Sequence, residues 1–235
     1  MTTAQQDILA RVKRAQYADQ DAVEIADDLR ELGRAPPAPL DCEDVLESFL
    51  LRLAKNKISV EAAANRSEAV QCISRFLYRE HNTHKVVAGN DRRLAALPWR
   101  DGGVLVRFDT AVPEDPVSVS YAKLAVAESG SMLLYSNRDN PGANNWLVKD
   151  HLILVDGLDL VASFEDAWAW IRADLADGTS PRGIIFISGP SSTGDIIGHL
   201  VQGAHGPQRL HVIFIGDVPE GLLQRVEDRA ATTKA

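Results

Sequence analysis

The amino-acid sequence predicts an α/β protein in which a mainly parallel sheet is flanked by helices. Amphipathic helical segments alternate along the chain with short apolar runs rich in β-branched residues, as in parallel sheets covered by helices. Two such runs, at residues 184–187 and 210–215, lie roughly twenty residues apart, which suits a helical crossover and is too long for a tight hairpin. We therefore expect residues 183–216 to form a β-loop-α-β unit between parallel neighbours.

The amino-terminal segment is predicted to be a separable helical arm. Residues 5–32 place apolar side chains at helical spacing, and Gly33 supplies a stop. Three prolines within residues 36–39 then force an extended linker. The arm packs either on its own domain or on a partner. The predicted domains are the arm and linker at residues 1–40, an α/β domain at 41–220 and a carboxyl-terminal tail at 221–235.

The first half of the α/β domain alternates between helix and strand. Asp41 is a plausible N-cap because its carboxylate can accept a hydrogen bond from an early helical N–H. The elements predicted in order are a helix carrying apolar residues 45–53, a strand at 57–60, a helix at 67–78, a strand at 85–88, a short helix at 92–97 and a strand at 104–108.

The pattern changes in the second half of the domain. Residues 117–136 contain two β-rich runs joined by a turn of small residues, which predicts a hairpin. A loop rich in Asn and Gly leads to an apolar strand at residues 151–155. The sequence from Ser163 to Asp166 has the form of a capping box, so a helix is expected to begin there and to end before Gly178.

Composition and charge exclude several classes of function. The net charge of −8 and the pI near 5.2 argue against a general nucleic-acid or anionic-membrane partner. No apolar run reaches the roughly 18 residues of a membrane span, so a cytoplasmic protein is expected. Cys42 and Cys72 lie far apart, and two thiolates cannot build an iron-sulfur cluster or a structural zinc site. We therefore expect no cofactor in this chain.

The loop that follows the strand at 184–187 is the main candidate for ligand binding. Its glycines let a ligand approach the backbone, its hydroxyls can donate hydrogen bonds, and a following helix would add unpaired N–H groups. A P-loop is excluded because the loop contains no lysine. The alternative is that Ser192 or Thr193 only caps the helix. The candidate residues are Gly189, Pro190, Ser191, Ser192, Thr193, Gly194 and Asp195.

Two further residues are candidates for catalysis. Glu128 stands at the turn of the predicted hairpin, where partial burial would favour a general base or nucleophile; the alternative is a solvated turn residue. His205 is flanked by small residues in the turn 203–207, next to the candidate ligand residue Gly206. His81 and His84 form a weak metal pattern, and we interpret them as surface histidines.

The chain resembles the LUD-domain family, and within it the lactate utilization protein C group. Three stretches carry the resemblance: AVAESGSMLLYS at residues 125–136, DHLILVDGLDLVASFEDAWAWI at 150–171, and ISGPSSTGDI with HGPQRLHVIFIG between 187 and 216. The family often has Ser-Arg-Thr-Ala-Asp where this chain has Ser-Ser-Thr-Gly-Asp. Without that arginine, anion binding at the loop would depend on backbone N–H groups and hydroxyls.

The resemblance implies both a fold and a function. The fold would be similar to that of ribose-phosphate isomerases, CoA transferases and methenyltetrahydrofolate synthetases. The function would be that of a cluster-free accessory subunit in a bacterial system that oxidises L-lactate to pyruvate, with iron-sulfur clusters in partner proteins and a small anionic ligand at the loop. Two alternatives stay open: a free-standing transferase or ligase for an acyl, CoA or phosphorylated substrate that uses Glu128, and a regulatory ligand binder without catalysis.

Overall fold

The structure, a computed structural model, describes residues 7–8, 11, 38–194 and 200–232. The chain divides into two compact units, Met1–Pro36 and Pro37–Ala235. Almost all of the predicted arm at residues 5–32 lies outside the described residues, as does Asp195 of the candidate loop. The architecture below is that of the second unit.

The helices and strands of this unit follow in two lists. The helices are α1 (Val45–Lys55), α2 (Arg66–His81), α3 (Arg92–Ala95), α4 (Phe164–Asp174) and α5 (Leu222–Thr232). The strands are β1 (Ser59–Ala63), β2 (Lys85–Ala88), β3 (Leu105–Phe108), β4 (Val117–Tyr121), β5 (Leu124–Val126), β6 (Ser131–Ser136), β7 (Asp150–Asp156), β8 (Leu160–Val161), β9 (Gly183–Ile187), β10 (Ser192–Gly194), β11 (Leu200–Gln202) and β12 (Arg209–Ile215).

A six-stranded sheet forms the centre of the unit. Its strand order is β1-β12-β7-β4-β2-β3, and all of its pairings are parallel. The predicted fold class, a mainly parallel sheet flanked by helices, is therefore confirmed. The finer likeness to the ribose-phosphate isomerase and CoA-transferase folds stays a prediction.

The central strands β7 and β12 are buried on both faces of the sheet, which explains why their sequences are almost continuously apolar. Successive side chains of a strand point to opposite faces, so Leu152 and Leu154 join the core beneath α2. Ile153 and Val155 of the same strand join a second core, which is formed with α1, α5 and the hairpin strands. Each of these four side chains is fully buried, and each burial stabilises the fold by roughly 1.5–3 kcal/mol.

A four-stranded sheet of order β8-β5-β6-β9 packs beside the central one. Strands β5 and β6 form an antiparallel hairpin around Gly130, as predicted. The start of the predicted hairpin segment behaves differently, since β4 pairs in parallel with β2 and β7 in the central sheet. The outer face of this second sheet is covered by α4, which contributes Ala167 and Ile171 to a third core.

The prediction of a β-loop-α-β unit at residues 183–216 is wrong. Strand β9 pairs antiparallel with β6, whereas β12 pairs with β1 and β7 in the other sheet. Where a crossover helix was expected, β10 and β11 form a small antiparallel pair in which Thr193 faces Val201. A connection of this length accommodates a hairpin as well as a helix, and the Ser, Thr and Gly residues of β10 favour helix interiors poorly.

Of the two helix caps predicted from the sequence, one is wrong and one is confirmed. Asp44, and not Asp41, caps α1 by accepting a hydrogen bond from the Glu47 N–H at 2.7 Å. Asp41 instead lies 2.8 Å from Arg52 and 3.0 Å from Lys55, so its carboxylate pairs with cations of the same helix. The capping box that begins at Ser163 is confirmed, with Asp166 as its acidic member.

Candidate functional site

The candidate loop lies at the amino-terminal edge of the central sheet. Ser191 donates its N–H to the Pro207 carbonyl at 2.9 Å, just before β12 begins, and accepts from the Gly203 N–H at 2.9 Å. Ligands of open α/β sheets usually bind at the opposite, carboxyl edge. The loop lies at the amino-terminal edge because β9 belongs to the second sheet, where it pairs antiparallel with β6.

A chain of three serine hydroxyls links the loop to the hairpin turn. The hydroxyls of Ser129 and Ser131 are 2.7 Å apart, and those of Ser131 and Ser188 are 2.6 Å apart. Asn56, at the end of α1, donates its side-chain N–H to the Ser129 carbonyl at 2.9 Å. The end of α1, the hairpin turn and the loop therefore meet at one place.

A small cavity of about 210 Å³ opens where these segments meet. Gly189 forms part of its wall close to the Asn56 backbone, where a Cβ built on Gly189 would lie 3.5 Å from the Asn56 carbonyl oxygen. The loop itself contributes no cation, but the end of α1 contributes two. The lining residues are Lys55, Asn56, Lys57, Ser188, Gly189, Pro190, Ser192 and Gln202.

Lys57 was not among the residues that the sequence pointed to, and its backbone is unusual. Its N–H bonds to the Ala54 carbonyl at 3.1 Å, and that of Ile58 bonds to the Leu53 carbonyl at 2.9 Å. This is a Schellman motif, in which the residue at the Lys57 position is left-handed and usually glycine. Lys57 has a φ of 62°, a conformation that costs a residue other than glycine about 1 kcal/mol. The sequence could have pointed to Lys57, because a helix that ends in a Schellman motif without a glycine must place another residue in the left-handed position.

Glu128 is half-buried, and its carboxylate is directed to another element. One oxygen accepts a hydrogen bond from the Phe164 N–H at 2.9 Å, at the positive end of α4. The other oxygen, Oε2, is buried and has no hydrogen-bond partner among the described residues. None of the contacts described for residues 188–194 and 200–207 includes this carboxylate. Glu128 is near the loop only through its chain neighbours Ser129 and Ser131.

His205 lies next to the loop but lines a different cavity. Its N–H donates to the Ser191 hydroxyl at 3.4 Å, so its turn lies close to the loop. Gly206 packs beside Trp146, where a Cβ would lie 3.5 Å from the indole ring. The open cavity of about 670 Å³ at this turn also includes residues 113–116 and Lys149.

The predicted loop residues thus divide into three groups. Gly189, Pro190 and Ser192 line the cavity beside Lys57. Ser191 joins the loop to the turn that carries His205 and Gly206. Thr193 and Gly194 belong to β10, so the alternative in which Ser192 or Thr193 caps a helix is wrong.

A cluster of charges around the buried Asp150 lies at the same edge of the central sheet. Asp150, the first residue of β7, is fully buried and accepts two hydrogen bonds from the Arg209 guanidinium, one of them 2.8 Å long. His81 bonds to the same carboxylate at 2.5 Å, and Arg209 also bonds to Glu80 at 2.5 Å. The pairing with Asp150 raises the pKa of Arg209, and hydrogen bonds from Arg79 and Arg209 lower that of Glu80 to about 2.

Two further histidines are buried in the central sheet. Burial lowers the pKa of His151 to about 3 and that of His211 to about 4. His151 is hydrogen-bonded to Ser120 at 2.8 Å, and His211 to Ser59 at 2.8 Å. Both rings are therefore neutral at physiological pH. In the described part of the chain no three His, Cys, Asp or Glu side chains form a group that could hold a metal ion.

A further cavity, of about 870 Å³, runs along the edge strand β3, away from the predicted residues. Trp99 and Phe108 meet there edge to face with 6.3 Å between ring centroids. None of the described helices is long and apolar enough to cross a membrane.

Comparison with known proteins confirms the resemblance stated from the sequence. Residues 116–215 match the family model of the LUD domain. A protein of Exiguobacterium named Lactate utilization protein C is 26% identical over 185 residues, which are 75% of this chain and 80% of that protein. The protein of the same name from Bacillus subtilis is 32% identical over 43% of this chain and 42% of its own length, so this second match spans less than half of the relative.

A solved structure supports the fold. A DUF162 family protein from Deinococcus radiodurans is similar with a TM-score of 0.56 and 22% identity, over 76% of this chain and all of that one. At this identity the likeness concerns the fold alone.

Proposed function

Because this chain carries a LUD domain at residues 116–215, we propose that it is a component of a bacterial lactate utilization system. In this proposal the chain is a cytoplasmic accessory subunit without a redox centre, and it works with iron-sulfur partner proteins that oxidise L-lactate to pyruvate. The observation that carries the proposal is the similarity to Lactate utilization protein C, which extends over 80% of the Exiguobacterium protein.

The proposed ligand of this subunit is a small anion held at the cavity between Gly189 and the end of α1. Three features support this choice. The cavity of about 210 Å³ has room for a small molecule only. Its wall combines the hydroxyls of Ser188 and Ser192 with the side chain of Gln202, which can bond to oxygen atoms. It also contains lysines, whereas none of its lining residues is acidic.

The system-level proposal is tested by reconstitution. The chain is purified together with the iron-sulfur proteins proposed as its partners, and electron transfer from L-lactate to a dye is measured with and without this subunit. We expect the rate to fall at least tenfold when the subunit is omitted and to recover when it is added back. An unchanged rate without it would contradict the proposal.

The second candidate function is a transferase or ligase that uses Glu128 as nucleophile or base. The observation in its favour is Oε2 of this carboxylate, which is buried and has no hydrogen-bond partner among the described residues. Glu128→Gln separates the functions, because the amide oxygen can still accept from the Phe164 N–H and keep α4 capped. An enzyme of this kind would lose turnover with its melting temperature unchanged, whereas an accessory subunit would support lactate oxidation normally.

A further inference from the structure

Lys57 is one of two residues other than glycine that the described chain holds in a left-handed conformation. The other is Asn82, which ends α2 with a φ of 47°. Asparagine tolerates this conformation because its short polar side chain bonds locally, whereas lysine has no such compensation. Strained positions of this kind persist where the surrounding structure imposes them, and they are concentrated at functional sites.

The surrounding structure does impose the conformation of Lys57. Leu53 and Ile58, which flank the Schellman turn, are both buried in the same core. Asn56 is tied to the hairpin turn through the Ser129 carbonyl. The backbone at residue 57 is therefore fixed by its neighbours, and glycine would satisfy it with less strain. Packing of the turn does not explain a lysine side chain at this position.

The charge of Lys57 is also unmatched. Lys55, on the same cavity, is paired with Asp41 at 3.0 Å, and Arg52 is paired with the same carboxylate. No hydrogen bond or ion pair joins the Lys57 ammonium to any of the described residues 38–194 and 200–232. The two paired cations already complement the negative end of α1, so the helix dipole does not require a third.

The geometry points to Lys57 as the cation that binds the carboxylate of a small 2-hydroxy or 2-oxo acid in the cavity of the Gly189 loop. This inference rests on the proposed function for the ligand class. The ammonium supplies the charge that the loop lacks, and it donates hydrogen bonds to the carboxylate oxygens. The oxygen at the second carbon of the acid can bond to the hydroxyls of Ser188 and Ser192 and to the Gln202 amide. These groups can donate a hydrogen bond to the oxygen of either acid, and they can also accept one from the hydroxyl of a 2-hydroxy acid.

Lys57→Gly tests this role without harming the fold, because glycine is favoured at the left-handed position. Binding of L-lactate, pyruvate and the neutral analogue lactamide is measured by titration calorimetry, and the melting temperature is recorded for each protein. Asn82→Gly is the matched control, since it makes the same change at the other left-handed residue. Lys57→Arg keeps the positive charge.

We expect the wild-type chain to bind both acids and not lactamide. Lys57→Gly weakens acid binding at least tenfold while its melting temperature is unchanged or higher, and Asn82→Gly and Lys57→Arg keep most of the affinity. Wild-type affinity in Lys57→Gly would overturn the role of Lys57 and leave the proposed ligand class intact. A wild-type chain that binds neither acid would overturn the proposed ligand, and this inference with it.

Discussion

Two groups of charged side chains at the amino-terminal edge of the central sheet, one around Asp150 and one at the cavity of the Gly189 loop, differ in how completely their charges are paired. Around Asp150 every charge has a partner: the carboxylate bonds to Arg209 and His81, and Arg209 also bonds to Glu80. In the cavity of the Gly189 loop, the Lys57 ammonium has no partner among the described residues. A saturated cluster holds strands in place, whereas an unpaired cation beside hydroxyl groups is available to a ligand.

Removing Arg209 is the strongest way to break the saturated cluster. Arg209→Met leaves the fully buried Asp150 carboxylate with His81 alone. Because the Arg209 side chain is itself 45% exposed, we expect a cost of about 3 kcal/mol, the low end of the range for breaking a buried pair. Urea denaturation measures the change. The control is Arg75→Met, which removes a more exposed pair with Glu61 and should cost less than about 1 kcal/mol. Equal effects of the two variants would contradict a structural role for the cluster.

Acid should destabilise the sheet through its buried histidines. The folded pKa values of His151 and His211, about 3 and about 4, lie below the unfolded value near 6.5. The unfolded chain therefore takes up protons first, so their contribution is complete above pH 6.5 and is lost as the pH falls towards 4 for His211 and towards 3 for His151. At pH 5 each histidine should cost about 2 kcal/mol.

Melting curves between pH 5 and pH 7.5 measure this dependence. A His151→Gln variant removes one of the two titrating groups, so its stability should vary less with pH than that of the wild type. The same slope in both proteins would mean that His151 is not responsible.

The serine chain is expected to contribute to both stability and binding. Ser131→Ala removes the buried hydroxyl that joins Ser129 to Ser188, and loss of such hydrogen bonds costs about 1–2 kcal/mol. Because Ser188 lines the cavity, L-lactate binding should also weaken several-fold. Ser180→Ala, in an exposed loop, should change neither property. Normal binding in Ser131→Ala would mean that the hairpin turn does not shape the cavity.

The smallest effect on stability is expected at Lys57. Relief of the left-handed strain in Lys57→Gly should raise the free energy of unfolding, with an upper limit of about 1 kcal/mol because the unfolded chain also gains freedom. Substitution of Arg209 in the saturated cluster should therefore lower stability, whereas substitution of the unpaired Lys57 by glycine should raise it. A destabilised Lys57→Gly protein would place Lys57 among the structural charges instead.

The sequence was sufficient to predict most of the central sheet. Strands such as β7 and β12 are buried on both faces, so their apolar runs stand out against the neighbouring helices. The β10–β11 pair was missed because its strands have only three residues each, Ser-Thr-Gly in β10 and Leu-Val-Gln in β11, which are too short to give a periodic signal. The division of the strands between two sheets was also missed, since that depends on contacts distant in sequence.

The candidate site was predicted only in part. The Gly189 loop stands out by composition, but Lys57 belongs to a helix end far from it in sequence, and no local pattern connects the two. The sequence also could not predict the direction of the Glu128 carboxylate, because that direction depends on where α4 begins relative to the hairpin turn. Pairing of side chains across elements, and not local propensity, determines which charges are free.

The most direct test of the ligand site is an NMR titration of the isotope-labelled chain with L-lactate. The account predicts that the largest amide shifts occur at residues 57, 188, 189, 192 and 202, which line the cavity, and that they are much smaller in Lys57→Gly at the same L-lactate concentration. Shifts centred on residues 203–206 or on Glu128 and Phe164, or no shifts at millimolar ligand, would contradict a carboxylate site beside Lys57.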